Sequence, residues 1–382
     1  MDGYSFQSVQ STRVQSGAVL HLNELLAGRG LSRPLFVTDA QLIKLGVVAP
    51  AIDALQLSAD TVVIFDGIEP DPSERVVFAC LEALRAGDCD SVIAVGGGSS
   101  MDVAKVVSVL ARGQQDLSEI YGVGMVSGER LPLFLAPTTA GTGSEVTPVA
   151  IITTGETTKA GVSSPVLLPD VAILDASLTL GLPASISAMT GIDAMVHAIE
   201  AYTSKIKKNP ISDMLALRAL KLLSENIRTV LATPGDVAAR EAMLLGSMFA
   251  GQAFANAPVG AVHALAYPVG GHYHIPHGLS NSLMLPAVLA FNAEACPELY
   301  ADLARVIPGA GQSSEGLIDW FKVLIDESGL PTTLAQAEIP ETDLPMLAKD
   351  AMFQQRLLIN NPREVDEATA LRLYREAWSG WS

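Results

Sequence analysis

SVIAVGGGSSMDVAKVV, residues 91–107, runs from an apolar segment through three glycines into a helical pattern, the outline of a strand–turn–helix unit. Ser91–Val95 is continuously apolar rather than alternating, which suits a strand buried on both faces of a sheet. Gly96, Gly97 and Gly98 let the backbone turn tightly and approach a diphosphate, and the helix that follows would add its dipole to the exposed N–H groups. The pattern is neither a P-loop nor G-x-G-x-x-G, and a strand-to-helix turn that needs glycine only for geometry would read the same way. Ser99 and Asp102 have capping-box spacing, with Asp a shorter partner than Glu or Gln.

Outward from this unit, LFVTD (35–39), VVIFD (62–66), LFLAP (133–137) and VAILD (171–175) are similar apolar runs. SERVVFACLEALRAG (73–87) is an amphipathic helix that closes on Gly87. Strands alternating with helices predict an α/β unit with a largely parallel sheet. After LPASISAMTG (182–191) the strand signal fades. Residues 212–231, 240–255, 315–329 and 366–378 carry helical periodicity instead. The expected division is an α/β nucleotide-binding domain over 1–181 and an all-helical domain over 182–382.

APTTAGTGSEVTP (136–148) follows another strand and sets Thr138, Thr139, Thr142, Ser144 and Thr147 around Gly141 and Gly143. Hydroxyls and glycines can grip phosphate and ribose without adding charge, although a polar turn has the same composition. Both loops follow strands, so both can lie at one carboxyl edge of the sheet. Asp39 ends the strand LFVTD, where a carboxylate can hold ribose hydroxyls and repel a 2′-phosphate. It can equally cap the helix beginning AQLIKLG.

Only 17% of residues are charged and 49% are hydrophobic, so part of the surface is expected to be covered by another subunit. The net charge of −17 argues against nucleic acid or an anionic membrane as a partner. Cys80, Cys89 and Cys296 are odd in number and have no metal-ligand spacing, which fits a reducing compartment. MDGYSFQSVQ lacks the basic and apolar segments of a signal peptide, and no uncharged run approaches the ~20 residues of a membrane span. The expectation is a cytoplasmic protein with a small-molecule substrate.

Five of the six histidines fall in two short segments. In GIDAMVHAIEAY (191–202), Asp193 and His197 are four apart and share one helix face. In AVHALAYPVGGHYHIPHG (261–278), His263 lies on a helical approach and His277 follows a loop broken by Pro and Gly. Three imidazoles and a carboxylate suit Fe²⁺, Zn²⁺ or another first-row divalent ion.

Taken together, GGGSSMDVAK, PTTAGTGSEVTP, GIDAMVHAIEAY and AVHALAYPVGGHYHIPHG resemble the iron-containing (group III) alcohol dehydrogenase family. LPDVAILDASLTLGLP and RLLINNPREV extend the resemblance over nearly the whole chain, in family order. It implies a dehydroquinate-synthase-like two-domain architecture with the active site in the cleft between an NAD-binding and a helical domain. It also implies NAD- and metal-dependent interconversion of an alcohol with an aldehyde or ketone, in a homodimer or larger homo-oligomer. By motif match the metal ligands are Asp193, His197, His263 and His277. The implied cofactor contacts are Asp39, Gly97, Gly98, Ser99, Asp102, Thr138, Thr139, Thr142, Ser144 and Lys159. Phe254 matches an aromatic that lines the substrate pocket of some members.

Many members carry a histidine four residues after the third ligand, for proton transfer; here that position is Tyr267, with His272 and His274 as substitutes. Maleylacetate reductases are similar but differ at the position of Asp193. A non-redox lyase of the dehydroquinate synthase type would need basic residues around the histidines, and those segments contain no Lys or Arg. A nucleotide-binding sensor without a catalytic metal is the third reading.

Overall fold

The computed structural model describes residues 3–58, 61–155 and 158–380. By contacts the chain forms two compact units, Gln7–Gly181 and Leu182–Ser382 together with Met1–Phe6.

In the first unit, β1 (Thr12–Val14), β2 (Pro34–Val37), β3 (Val63–Phe65), β4 (Ser91–Gly96), β5 (Gly122–Val123), β6 (Leu133–Pro137), β7 (Val149–Thr154), β8 (Thr158–Ser163) and β9 (Val171–Leu174) form two sheets. The larger has the order β1-β9-β6-β4-β2-β3, and its pairs are all parallel. The five apolar runs read from sequence are all in it. Their continuity follows from burial on both sides. Leu35, Val37, Val92, Ala94, Leu133 and Leu135 belong to one core cluster, and Phe36, Ile93, Val95, Phe134 and Ala136 to the other. β2, β4 and β6 thus feed two cores by alternation, whereas the edge strand β3 leaves Ile64 exposed. The first core also contains Val76, Val77, Cys80 and Leu81 from the Glu74–Ala86 helix, with Val103, Val106 and Val107 from the Gly98–Arg112 helix. Gly87 ends the former helix, and a Cβ there would run into Val63 and Cys89.

The chain travels outward from β2 to β3, then returns past β2 to β4, β6 and β9, so its direction reverses between β2 and β4. Open α/β sheets bind ligands beyond the carboxyl ends of the strands at such a reversal. Asp39, Gly97 and Thr138 follow β2, β4 and β6, three adjacent strands, at that same end. The small sheet β5-β8-β7 pairs β7 with β8 antiparallel and was not read from the sequence.

Among the described residues of the second unit, regular structure is helical only. Local chemistry starts several of the helices. Asn209 accepts from the Ile211 and Ser212 amides ahead of Pro210–Ala232, Asp236 from Ala239 ahead of Val237–Asn256, and Asp366 from Thr369 ahead of Glu367–Ser379. The segment expected to be a broken loop is instead one helix, Ala261–Tyr273, running through Pro268. Nearly every residue of its first two turns is buried, and that packing outweighs the hydrogen bond lost at proline. It ends at His274, in the left-handed conformation at φ 53°, and Pro276 leads into the next helix, His277–Ala293. No described helix is long and apolar enough to cross a membrane.

Candidate functional site

The second unit gathers four of its side chains. Asp193 and His197 stand one turn apart on the Ala184–Thr203 helix, His263 is in the first turn of Ala261–Tyr273, and His277 opens His277–Ala293. One ligand atom from each lies within 4.8 Å of all the others. His263 Nε2 is 3.0 Å from His197 Nε2 and 3.8 Å from Asp193 Oδ1, and His277 Nε2 is 3.6 Å from that oxygen. Close packing of the helices allows this. A Cβ at Gly278 would run into the carbonyl oxygen of Met189, so glycine lets His277 approach the Asp193 helix.

The donor chemistry fits a first-row divalent cation: three imidazole nitrogens and one carboxylate, converging at spacings that one ion can bridge. Burial pushes the Asp193 carboxyl up, but His197, His277, His263 and an Asn281 amide bond together outweigh it and hold the group below its ordinary range. Asp193 and His263 are almost fully enclosed, whereas the His277 side chain is 39% exposed and marks the open side. Phe254 stacks on His197 at 4.4 Å and 22°, closing another side with an apolar wall. The Tyr267 ring stands 5.8 Å from that of His277. His272 and His274 go elsewhere: His272 Nε2 pairs with Asp350 at 2.7 Å, and His274 is exposed.

Two residues of this cluster were missed in the sequence. The Asn281 Nδ2 donates to Asp193 Oδ1 at 2.6 Å and lies 3.2 Å from both His263 Nε2 and His277 Nε2, while its buried Oδ1 has no hydrogen-bond partner. Glu200 contacts His263 Nδ1 at 2.6 Å. Their spacings, four after His277 and three after His197, are the signal that could have found them.

In the first unit, the glycine turn and the hydroxyl loop touch, since a Cβ on Gly98 would meet the Thr142 side chain at 2.8 Å. Gly97 caps the helix without a side-chain bond and has nothing within 4 Å of where a Cβ would stand. That face is open to a ligand. The Ser99–Asp102 capping box does not form. Asp102 Oδ1 instead accepts from the Ser144 hydroxyl at 2.6 Å, and Oδ2 from the Ile151 amide at 2.9 Å. One bond from the hydroxyl loop and one from β7 hold Asp102 more firmly than a local turn could. Lys105, fully buried, donates to Ser144 Oγ, Thr147 Oγ1 and the Val149 carbonyl. The hydroxyl loop is therefore divided. Ser144 and Thr147 turn inward to this clamp, Thr142 Oγ1 accepts from the Ser144 amide, and Thr138 is buried beside the carboxyl end of β4. Thr139 is half-buried. Asp39 caps its helix through the Leu42 amide. Lys159, on β8, is paired with Asp71 at 2.6 Å and Thr153 at 3.1 Å.

Family models match both halves of the chain: the iron-containing alcohol dehydrogenase model over residues 10–176, and the C-terminal model of the Fe-containing alcohol dehydrogenase family over residues 187–378. The long-chain-alcohol dehydrogenase 1 of Geobacillus thermodenitrificans is 38% identical, over 92% of this chain and 91% of its own. A 1,3-propanediol oxidoreductase crystal structure is 35% identical and superposes with a TM-score of 0.94, covering 99% of this chain and all of the other. The sulfoacetaldehyde reductase of Bifidobacterium kashiwanohense, solved in complex with NAD⁺, is 30% identical with a TM-score of 0.90, again over 99% and 100% of the two chains. The chain belongs to the iron-containing alcohol dehydrogenase family and is an oxidoreductase of alcohols and their carbonyl products.

Proposed function

We propose that this chain interconverts a primary alcohol or diol with its aldehyde, using NAD and a divalent cation, iron first, held by Asp193, His197, His263 and His277. The observation that carries this reading is the convergence of those four donors within 4.8 Å in a largely buried setting. When bound, the cation supplies a Lewis acid for the alcohol or carbonyl oxygen, and the nicotinamide accepts or returns the hydride. The exposed edge of His277 is the side from which substrate oxygen approaches. Phe254 backs His197, limits water there and bounds the substrate's carbon chain.

Tyr267, beside His277, is the proposed proton carrier. His272 is committed to Asp350 and His274 to solvent, which leaves them secondary. In Gln7–Gly181, the proposed NAD-binding domain, Gly97, Gly98 and Ser99 receive the diphosphate, with Thr138, Thr139 and Thr142 opposite. Asp39 uses its remaining carboxylate capacity on the adenosine ribose. Asp102 and Ser144 shape these loops through each other, and Lys159 bounds them from β8. The Leu182–Ser382 unit is the proposed metal-binding domain. A homodimer or larger homo-oligomer in the cytoplasm completes the reading, supported by a surface poor in charge.

The test is anaerobic purification and metal analysis, followed by NADH formation on a panel of short primary alcohols and diols, with NADP⁺ in parallel. One equivalent of metal and NAD-linked oxidation that stops on chelation are expected. Metal-loaded protein that oxidises none of the panel, or keeps full activity after the metal is stripped, would sink the proposal.

A further inference from the structure

Glu200 is none of the four donors, yet it reaches one of them. On the Ala184–Thr203 helix it follows Asp193 by seven residues and His197 by three, so all three share one face. Its side chain is 6% exposed. Oε1 accepts from the Val262 amide at 2.7 Å, and Oε2 stands 2.6 Å from His263 Nδ1. An ionised carboxylate only accepts, so in this pair the imidazole Nδ1 carries the proton. His263 Nε2 is then left with a lone pair. That nitrogen faces His197 Nε2 at 3.0 Å and the amide Nδ2 of Asn281, a donor, at 3.2 Å. Towards the Asn281 amide, His263 Nε2 is an acceptor.

We propose that Glu200 is a positioning residue of the cation site: it fixes His263 as the Nδ1–H tautomer and aims the Nε2 lone pair at the ion. Carboxylate–histidine pairs of this kind orient the ring and make the ligating nitrogen more basic. One helix thereby supplies two donors and the orienting group of a third donor, which lies on another helix. This inference rests on reading the four side chains as a cation site.

Two measurements test it, with Zn²⁺ as a diamagnetic probe. In the metal-free wild type, ¹⁵N imidazole spectra assigned by comparison with His263→Ala should show His263 protonated at Nδ1. A proton on Nε2 overturns the proposal without any need for a Glu200 variant. In competition with a chelator, Glu200→Gln should bind Zn²⁺ 10- to 100-fold more weakly. Its circular dichroism and metal-free melting temperature should match the wild type. Affinity equal to wild type in folded Glu200→Gln overturns the proposal while leaving the cation site standing. A wild type that binds no Zn²⁺ at all removes the cation site itself, and the proposal with it.

Discussion

Gly97 and Gly278 both stand at helix starts, and the space around each separates their roles. Nothing lies within 4 Å of a Cβ at Gly97, and its φ of −76° is open to any residue. Gly97→Ala should therefore fold with stability within about 1 kcal/mol of wild type. Its methyl would occupy the face assigned to the diphosphate, so KM for NAD should rise tenfold or more. Unchanged NAD binding by a folded Gly97→Ala would remove that assignment. Gly278 is different because the obstacle is backbone, the Met189 carbonyl oxygen. Gly278→Ala should cost about 1–3 kcal/mol in urea unfolding and weaken metal binding as His277 is pushed away. Tyr267→Phe keeps the ring beside His277 and removes its hydroxyl. If Tyr267 carries the proton, kcat should fall by roughly 100-fold and the pH–rate profile should change shape. An unaltered profile would show that the proton travels another way.

At the scale of elements, Lys105 fastens the hydroxyl loop and β7 to the glycine-loop helix, with Asp102 as its counter-charge at 3.8 Å. Lys105→Met would leave Asp102 without that charge and take a donor from Ser144 Oγ, Thr147 Oγ1 and the Val149 carbonyl. The expected loss is about 3–5 kcal/mol, read from chemical unfolding. Glu145, on the same loop, is 1% exposed and its Oε1 has no hydrogen-bond partner. Burial pushes its carboxyl from 4.5 up to about 7, against smaller opposing pulls from a backbone bond and Lys105. The folded state thus holds a proton that the unfolded chain releases. Its contribution is fully present below pH 4.5 and is lost as pH rises towards 7. Over that window the loss is on the order of 3 kcal/mol. Glu145→Gln should remove this slope, so that between pH 5 and 7.5 the wild-type urea midpoint falls relative to that of the variant. A wild type and variant with parallel pH curves would mean that Glu145 is ionised throughout.

For the whole molecule, two compact units with separate candidate ligand sets imply separate responses to ligand. A ligand at 100 times its Kd stabilises what it binds by about 2.7 kcal/mol. In hydrogen exchange, Zn²⁺ should slow amides of 184–203 and 261–293 first, and NAD those of 91–112 and 133–150. Protection appearing in the opposite unit alone would reverse the assignment of the ligands.

How far the chain was legible follows from the range of its interactions. Apolar continuity over 91–95 or 133–137 records burial on two faces, and helical spacing joins Asp193 to His197; both are local patterns and both were readable. β1 is three residues long and pairs with β9 far along the chain, so nothing local marks it. Asp102 has capping spacing yet bonds to Ser144 and Ile151, because a loop and a strand more than 40 residues away offer stronger partners. Pro268 and two glycines spell a loop, but a buried helix overrules them. The α/β-then-helical order, the glycine turn and the four ligand types were legible in the chain, since each depends on neighbours within a few residues. That Glu200 faces His263, that Asn281 stands among the donors and that Lys105 holds the hydroxyl loop came only with folding. Those contacts join segments that meet only when helices and strands pack; helical spacing puts Glu200 and Asn281 on the same faces as His197 and His277 but does not name their partners.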